Sequence, residues 1–398
     1  MLWVLLLGFS SGIPLALTGT TLQAWMQAEH VDLKVIGVFS LVGLPYTVKY
    51  LWAPLMDRFV PPFLGRRRGW MLVTQAGLAL AIAAMAFADP RGATGAVAAL
   101  ALVVAFFSAS QDIVVDAYRT DVLLPDELGP GASAYILGYR VAMLTSGAAA
   151  LILADRLPWR AVYLLMAACM LVGALASLLA PEPGGDVKPP ADLREAVVEP
   201  FLEFFRRPGA LGLLAFLVLY KLDVVMANAL TTPFLLEIGF SKTDIGAVTK
   251  GAGMLATIVG AFIGGAVVAR WGMKRSLWIF GVAQAASGLT FTALARVGHH
   301  YPAMVAAIGV ENLCSGMGTA AYAAFLMGLC DKRFSATQYA LLTSLMALTR
   351  VVAGAPTGYL AEAVGWEQYF LLSTAAGAPA LLLLLAYDRW VPAAAEPA

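Results

Sequence analysis

Charged residues are scarce in this sequence, since Asp, Glu, Lys and Arg make up 13% of its 398 positions. An ordinary soluble domain carries about 25%. Hydrophobic residues account for 60%, and they occur in long runs. This composition excludes a soluble globular protein and predicts a chain that crosses a membrane several times.

Cysteine is also scarce, with three residues in the whole chain. They show no CxxC spacing and lie in or at the end of apolar segments, at Cys169, Cys314 and Cys330. Small buried residues are the usual reading of such positions. We therefore expect neither a disulfide nor a metal site, and no cofactor.

Histidine is limited to His30, His299 and His300, which fall in predicted outer loops. No nucleophile, base and acid arrangement is evident within the apolar runs, so the sequence does not favour an intramembrane enzyme. The formal net charge is +1, and no basic tract is interleaved with aromatic residues. A nucleic-acid partner is therefore not predicted, whereas the lipid bilayer is.

The apolar runs predict an all-α membrane protein with twelve transmembrane helices of about 20 residues or more. The chain opens directly in the first of them without a basic leader, so we expect this helix to act as its own insertion signal. The predicted spans are 2–27, 35–56, 70–88, 95–123, 133–154, 159–180, 209–236, 244–269, 276–296, 302–329, 338–362 and 367–388.

The longest connection, 181–207, divides the spans into an N-terminal six-helix bundle, 1–180, and a C-terminal six-helix bundle, 208–398. The second part of this linker places Leu193, Val197 and Phe201 at helical spacing. It predicts an amphipathic helix that lies along the membrane surface, bent at Pro200.

The two halves resemble each other in sequence. The segment 154–165 recurs as 361–372, so that Trp159 corresponds to Trp366, and Gly147 and Gly354 keep the same offset. A duplication of this kind is typical of transporters whose two bundles rock around a central site.

The distribution of basic residues predicts the orientation. Loops after even-numbered spans and the C-terminal tail hold about fourteen Lys and Arg, whereas the opposite loops hold about six, and the positive side faces the cytoplasm. Both termini are therefore expected in the cytoplasm.

The fourth predicted span carries an unusual group of polar residues, Gln111, Asp112, Asp116, Arg119 and Asp121. Positions 112, 116 and 119 share one helix face. Each charge would cost about 2.5–3.5 kcal/mol near the bilayer centre, so this face must contact protein or water. Asp116 and Arg119 are equally explained as a structural ion pair, and Asp121 is expected in the interface. For Gln111 and Asp112 a functional role is the better explanation.

Outside this span, few ionisable residues lie within the apolar runs, and each is a candidate for function. Lys49 is near enough to the cytoplasmic end for its amine to reach water. Lys221 and Asp223 are two positions apart, so they would project from different sides of a helix. The remaining deep candidates are Arg140, Glu311 with the adjacent Asn312, and Arg350.

These residues divide into two predicted roles. Basic and amide groups are suited to ligand carboxylates and amides, which applies to Arg140, Lys221, Asn312 and Arg350. Carboxyl groups withdrawn from water favour their neutral form and suit a coupling proton. This role is assigned to Asp112, Asp116, Asp223 and Glu311.

An amide beside a flat aromatic ring suits a carbohydrate, and Gln23 with Trp25 offers this combination. Tyr46 and Tyr139 are further candidates for substrate contact, together with Gln111, although aromatic residues in membrane helices more often serve packing. The glycines of the first span are explained equally well by close helix packing and by substrate access.

A loop motif after the second span combines Asp57 and Arg58 with the basic cluster that contains Arg67. A related cluster with Arg270 and Lys274 follows the eighth span. An Asp-Arg pair followed by basic residues at this place resembles the loop motif of the major facilitator superfamily. Positive-inside topology alone would also explain it, but its recurrence in both halves favours a gating latch on the cytoplasmic side.

Longer segments carry a more specific resemblance. GFSSGIPLALTGTTLQAWM, PLMDRFVPPFLGRRRGW, SASQDIVVDAYRTDVL, LGYRVAMLTSG and KLDVVMANALTTPFL resemble the AmpG-type muropeptide permeases of Gram-negative bacteria. The resemblance implies a major facilitator fold in the inner membrane and a monomer. It also implies proton-driven import of anhydro-muropeptides for peptidoglycan recycling, which feeds β-lactamase induction where that enzyme is inducible.

One alternative transporter remains open. A eukaryotic acetyl-CoA carrier family shares part of the fourth-span pattern, so acetyl-CoA or another acyl-nucleotide is a second candidate substrate. The phosphates of such a substrate call for a denser basic pocket than the sequence offers.

Overall fold

The computed structural model describes residues 1–32, 35, 39–184, 188–354 and 356–390. Regular structure in these ranges is helical, with short 3₁₀ and π-helical turns between α-helices. The all-α prediction is confirmed. The α-helices are α1 (Leu2–Leu17), α2 (Thr20–Ala28), α3 (Leu44–Val48), α4 (Ala53–Arg58), α5 (Arg66–Met85), α6 (Thr94–Val122), α7 (Leu128–Met143), α8 (Ala150–Ala154), α9 (Trp159–Leu179), α10 (Leu193–Arg206), α11 (Ala210–Leu219), α12 (Leu222–Glu237), α13 (Lys242–Ala247), α14 (Met254–Trp271), α15 (Met273–Val297), α16 (Tyr301–Leu329), α17 (Ser335–Gly354), α18 (Thr357–Val364), α19 (Trp366–Ala375), α20 (Ala378–Leu383) and α21 (Tyr387–Trp390).

Two compact units make up the chain. Unit 1 consists of residues 1–124, 134–200 and 330–344, and unit 2 of residues 125–133, 201–329 and 345–398. The first ten residues of α17 therefore belong to unit 1, although they follow most of unit 2 in the chain.

Within the described residues, ten helical stretches are long and apolar enough to cross a membrane. The predicted span 35–56 is not among them: residues 36–38 lie outside the described part of the chain, and α3 and α4 are short helices joined by 3₁₀ turns. The predicted span 302–329 coincides with α16, a continuous helix of 29 residues that is also outside the ten.

Close helix packing explains the glycines of α1 in unit 1. A Cβ atom added at Gly8 would overlap the carbonyl oxygen of Tyr135 in α7, and one at Gly12 would lie 2.7 Å from the Cβ of Ala142. Small residues allow backbones to approach in this way. The packing explanation is therefore the one that the structure supports at these positions. Pro14 does not break α1, which ends three residues later at Leu17.

Glycines also allow close helix packing in unit 2, between α14 and α16. A Cβ at Gly264 would lie 2.6 Å from the carbonyl oxygen of Met317, and one at Gly260 or Gly316 would overlap the facing backbone. This close contact fixes α16, which carries Glu311 and Asn312, against α14.

The predicted linker helix is present as α10, and it runs through Pro200. Val197 and Phe201 are exposed apolar residues on it. Its position at a membrane surface stays a prediction. Trp159 and Trp366, the corresponding residues of the two halves, are each the first residue of a helix.

Candidate functional site

Two groups of buried or half-buried polar residues lie in or beside otherwise apolar helices, one in each unit. The unit 1 cluster consists of Lys49, Gln111, Asp112, Asp116 and Arg119. The unit 2 cluster consists of Lys221, Asp223, Gln284 and Glu311.

Gln111 connects α6 to α1. Its side chain is fully buried, and its Nε2 donates hydrogen bonds to the hydroxyl oxygens of Ser10 at 3.0 Å and Ser11 at 3.4 Å. Its Oε1 has no hydrogen-bond partner among the described residues. Half of the amide therefore holds two helices together, and the other half retains an unused acceptor.

Asp116 is paired with two cations. Arg119, one turn further along α6, donates to one carboxylate oxygen, and Lys49 Nζ lies 3.7 Å from the other. All three residues are buried. The ion pair between Asp116 and Arg119 that the spacing predicts is confirmed, whereas the alternative that Lys49 reaches water is wrong.

Arg119 also lies against aromatic rings. Its guanidinium carbon is 3.8 Å from the ring centre of Tyr135 and 5.8 Å from that of Tyr339. Such cation–π contacts stabilise a cation that has lost its hydration. The charge of Arg119 is thus held by one carboxylate and two aromatic rings.

Asp112 differs from Asp116 in that one of its carboxylate oxygens lacks a hydrogen bond. Its charged neighbours are Lys49, Asp116 and Arg119, but its Oδ1 is buried without a hydrogen-bond partner among the described residues. Burying an unpartnered polar atom is costly. Asp112 is therefore the member of the unit 1 cluster best placed to bind a ligand group.

The other predicted substrate residues of unit 1 do not form one surface. Gln23 is exposed, whereas Trp25 is 3% exposed and stacks on Trp159 with ring centres 6.0 Å apart. Tyr46 and Tyr139 are half-buried, and the hydroxyl of Tyr46 has no hydrogen-bond partner in the described part of the chain.

Arg140 is half-buried and has no recorded carboxylate partner among the described residues. Its guanidinium donates a long hydrogen bond to the sulfur of Met143 at 3.7 Å. A cation in this state is suited to an anionic ligand group. The side chain of Arg350 lies outside the described residues.

In unit 2, the candidate residues surround a break in a helix. α11 ends at Leu219 and α12 begins at Leu222, so Lys221 lies outside both helices. The continuous helix predicted over 209–236 is therefore interrupted at Lys221, and the prediction that Lys221 and Asp223 project from different sides is not tested. Broken helices of this kind place charged groups and free backbone groups at transporter sites.

Lys221 donates hydrogen bonds to Gln284 Oε1 at 2.9 Å and to Thr319 Oγ1 at 3.2 Å. Asp223 is 5% exposed, and its Oδ1 accepts a hydrogen bond from the backbone N–H of Val224 at 2.8 Å. The N-terminal end of α12 thus stabilises the Asp223 carboxylate.

Glu311 is 4% exposed, and its carboxylate accepts a hydrogen bond from Asn228 Nδ2 at 3.4 Å. Asp223, Glu311 and Gln284 line one small cavity. The neighbouring Asn312 is engaged differently, because its side chain bonds Thr257 Oγ1 at 3.0 Å and the carbonyl of Ile308. Asn312 therefore contributes to the packing of α14 on α16.

The loop motif forms a buried latch in unit 1, made of Asp57, Arg67 and Asp121. Arg67 is 1% exposed, and it bonds Asp57 Oδ1 at 3.0 Å and Asp121 Oδ2 at 2.6 Å. Asp121 is therefore buried and paired, and its position in the membrane interface stays a prediction.

The latch holds the start of α17. Asp57 accepts hydrogen bonds from the N–H of Ala336 and from both the N–H and the hydroxyl of Thr337, while Arg67 donates to Ser335 Oγ at 2.6 Å. A carboxylate at a helix N-terminus is stabilised by the unpaired N–H groups there.

The other predicted gating residues lie outside this latch. Arg58 lies over the ring of Phe59, and Arg270 is exposed. Lys274 pairs with Asp388 at 2.5 Å, and the Asp388 side chain is largely exposed. The buried network of the first motif is therefore not repeated around Lys274.

Sequence reasoning missed Gln284 as a member of the unit 2 cluster. For Lys49, the sequence leaves a functional role and an amine that reaches water equally open. Gln284 carries no charge, and the signal that could have identified it is an amide in an apolar helix.

Residues 4–246 and 220–397 match the family model of the Major Facilitator Superfamily. The anhydromuropeptide permease of Escherichia coli K12 is 52% identical over 384 residues, which cover 96% of this chain and 78% of the permease. A putative AmpG transporter of Rickettsia conorii is 32% identical, covering 96% of this chain and 95% of its own length.

Solved structures show the same fold. The human organic anion transporter MFSD10 is 18% identical, with a TM-score of 0.65 and coverage of 96% of both chains. The proton:xylose symporter XylE is 10% identical, with a TM-score of 0.68 and coverage of 98% of this chain and 94% of its own. The chain is therefore a multi-pass membrane transporter that belongs to the Major Facilitator Superfamily, in the same family as the anhydromuropeptide permease of Escherichia coli.

Proposed function

We propose that this protein is a proton-coupled secondary transporter that imports GlcNAc-1,6-anhydro-MurNAc, with or without a stem peptide, from the periplasm to the cytoplasm. The observation that carries the proposal is the 52% identity to the Escherichia coli permease over 96% of this chain. Similarity of this extent covers nearly the whole chain and is not limited to one short motif.

The architecture proposed for this function has twelve membrane helices in two six-helix repeats, 1–180 and 208–398, joined by the cytoplasmic linker 181–207. Both termini face the cytoplasm, and the monomer is the transporting unit in the bacterial inner membrane. Two repeats that rock around a central site are the common basis of alternating access.

The chemistry of the substrate matches the available side chains. A muropeptide offers hydroxyl and acetamide groups, which suit amides and tyrosines, and carboxylates, which suit basic groups. The unused acceptor of Gln111 and the uncompensated guanidinium of Arg140 support this assignment. The proposed substrate residues are Gln23, Trp25, Tyr46, Gln111, Tyr139, Arg140, Lys221, Asn312 and Arg350.

Proton coupling is assigned to buried carboxyl groups, namely Asp112, Asp116, Asp223 and Glu311. Removal from water favours the neutral form of a carboxyl group, so a site that opens to water on alternate sides gains and loses a proton. The latch of Asp57, Arg67 and Asp121 closes the cytoplasmic side in one conformation. In an organism with an inducible β-lactamase, import through this protein supplies the inducing fragments.

Equilibrium binding to the purified protein tests the substrate. Tritiated GlcNAc-anhydro-MurNAc is bound by the detergent-solubilised protein, and unlabelled disaccharide-tripeptide, acetyl-CoA and xylose are added as competitors. We expect saturable binding that the tripeptide form displaces and the other two do not.

An Arg140→Gln variant is compared with an Arg91→Gln variant, because Arg91 lies in an exposed loop. We expect weaker binding of the peptide-bearing form in the first variant alone. Displacement by acetyl-CoA but not by the muropeptide would contradict the assignment and support an acyl-nucleotide carrier.

A further inference from the structure

A small cavity in unit 2, lined by apolar and polar residues, has the size of one water molecule. Its volume is about 10 Å³, and its lining includes Asp223, Gln284, Glu311 and Thr374. A cavity of roughly 10–15 Å³ holds one water when two to four polar groups surround it. Both acidic residues of the unit 2 cluster therefore line a space that fits a single water.

Two buried atoms around this cavity lack hydrogen-bond partners among the described residues, Gln284 Nε2 and Thr374 Oγ1. The orientation of the Gln284 amide is fixed, because Lys221 can only donate and must therefore face the oxygen. The Nε2 atom is left as a donor on a residue that is 3% exposed. A water in the cavity would satisfy such groups.

Gly288 lines this space, and a Cβ there would overlap Thr374 Oγ1. Gly377 lies beside the cluster, where an added Cβ would be 3.3 Å from Asp223 Oδ2. A side chain at Gly288 would therefore press on a polar residue of the cavity lining.

The charges of the unit 2 cluster balance only when it binds one proton. Lys221 carries one positive charge and has Asp223 and Glu311 as its charged neighbours. The other titratable neighbours, Tyr220 beside Asp223 and Cys314 beside Glu311, are neutral near pH 7. An uncompensated charge inside a membrane is costly, so the cluster favours one proton on its two carboxyl groups.

The charges of the unit 1 cluster balance without an added proton. Asp112 and Asp116 contribute two negative charges, and Lys49 and Arg119 contribute two positive charges. This cluster is neutral with both carboxylates ionised.

We propose that Asp223 and Glu311 hold one proton between them, through a single water bound in this cavity, and that this pair, among the four carboxyl groups assigned to proton coupling, binds the coupling proton. The proposal deepens the proposed function, since it identifies the carboxyl groups of a proton-coupled transporter that bind the proton. The proton resides on one carboxyl oxygen, which donates to the water, and the water donates to the other carboxylate. On release the proton returns to solvent, and only O–H bonds are formed and broken.

Infrared difference spectroscopy of the purified protein without substrate tests the location of the proton. Spectra at low and high pH give the C=O band of protonated carboxyl groups. We expect the C=O band of the buried protonated carboxyl group to be present in the wild type and absent in both Asp223→Asn and Glu311→Gln. In each variant the one remaining carboxylate balances the charge of Lys221 without a proton. We expect Asp112→Asn to keep the band.

A band that disappears in Asp112→Asn and persists in Glu311→Gln would overturn the proposal. This measurement needs no substrate, so it stays decisive even if the disaccharide is not transported. Failure of the proposed function would instead appear as a wild type that neither binds nor accumulates the disaccharide.

Filling the cavity provides a test that leaves every charge in place. Gly288→Ala is compared with Gly309→Ala, because a Cβ at Gly309 meets no atom within 4 Å and this glycine lies on the same helix as Glu311. We expect Gly288→Ala to lower proton-driven uptake by about tenfold or more. The added methyl group would displace the water and the side chains that line the cavity, and misplaced groups transfer protons poorly. Equal uptake by the two variants, with the carboxyl band unchanged in both, would contradict a role for the water.

Discussion

Asp57 in α4 caps the helix that begins at Ser335, because its Oδ2 accepts hydrogen bonds from both the N–H and the hydroxyl of Thr337, at 2.8 Å and 2.7 Å. The carboxylate is fully buried and also pairs with Arg67. One side chain thus satisfies a buried cation and a helix N-terminus that lies 280 positions away in sequence.

The cap is tested by Thr337→Val, which removes the hydroxyl and keeps the shape of the side chain. We expect a loss of about 1–2 kcal/mol in the stability of this conformation, as for other helix caps. Thermal unfolding of the purified protein measures the loss. Thr343→Val on the same helix is the control, because its hydroxyl bonds only carbonyls of its own helix. Equal losses in the two variants would contradict a specific role of the cap.

Lys49 balances the charge of Asp116 in unit 1. In Lys49→Met, the two buried carboxylates of the cluster keep Arg119 as their one recorded cation among the described residues. Removing one partner of a buried ion pair costs about 3–5 kcal/mol when no other partner remains, and Arg119 reduces this cost here.

We therefore expect a clear drop in thermal stability and uptake in Lys49→Met and a partial recovery in Lys49→Arg. Uptake by vesicles and thermal unfolding are measured side by side. Lys188→Met, at an exposed position of the linker, is expected to match the wild type. Equal uptake by Lys49→Met and Lys188→Met would show that Lys49 does not balance the cluster.

Gly8 permits the contact between α1 and α7. Because a Cβ there would overlap the backbone oxygen of Tyr135, Gly8→Ala should destabilise the protein by about 1–3 kcal/mol. Gly95→Ala is the matched change at a helical glycine with no atom within 4 Å of the added Cβ. Thermal unfolding is expected to separate the two variants, and a Gly8→Ala protein as stable as Gly95→Ala would refute the packing argument.

Gln111 and Gln75 allow function and stability to be separated. Both amides are buried, but Gln111 bonds two serines of α1, whereas Gln75 accepts a hydrogen bond from Ser177. Gln111→Leu and Gln75→Leu should lower stability by similar amounts, about 1–3 kcal/mol.

Only Gln111→Leu is expected to lower the affinity for GlcNAc-anhydro-MurNAc, because its Oε1 is the acceptor assigned to substrate. Binding measured at a temperature where both variants remain folded gives the comparison. Loss of affinity in Gln75→Leu alone would reverse the assignment.

Much of the fold and part of the site follow from local sequence. Apolar runs predict helices, and the spacing of Asp116 and Arg119 on one helix predicts their ion pair, because both depend on neighbours within one turn. The sequence does not predict the break at Lys221, since no proline or glycine marks it.

Long-range partners could not be read from the sequence. The position of Asp121 near the end of α6 gives no indication that Arg67 of another helix reaches it. Likewise, Lys49 is buried because Asp116 lies opposite. Such pairings depend on how helices pack, which composition and periodicity do not specify.

Uptake into right-side-out membrane vesicles tests the central claim most directly. Radiolabelled GlcNAc-anhydro-MurNAc is supplied outside vesicles that contain the protein, with an inward proton gradient imposed or abolished by a protonophore. We predict accumulation that requires the gradient, is abolished by the protonophore and is lost in Glu311→Gln. Absence of uptake by wild-type protein that is folded and correctly inserted would contradict the account.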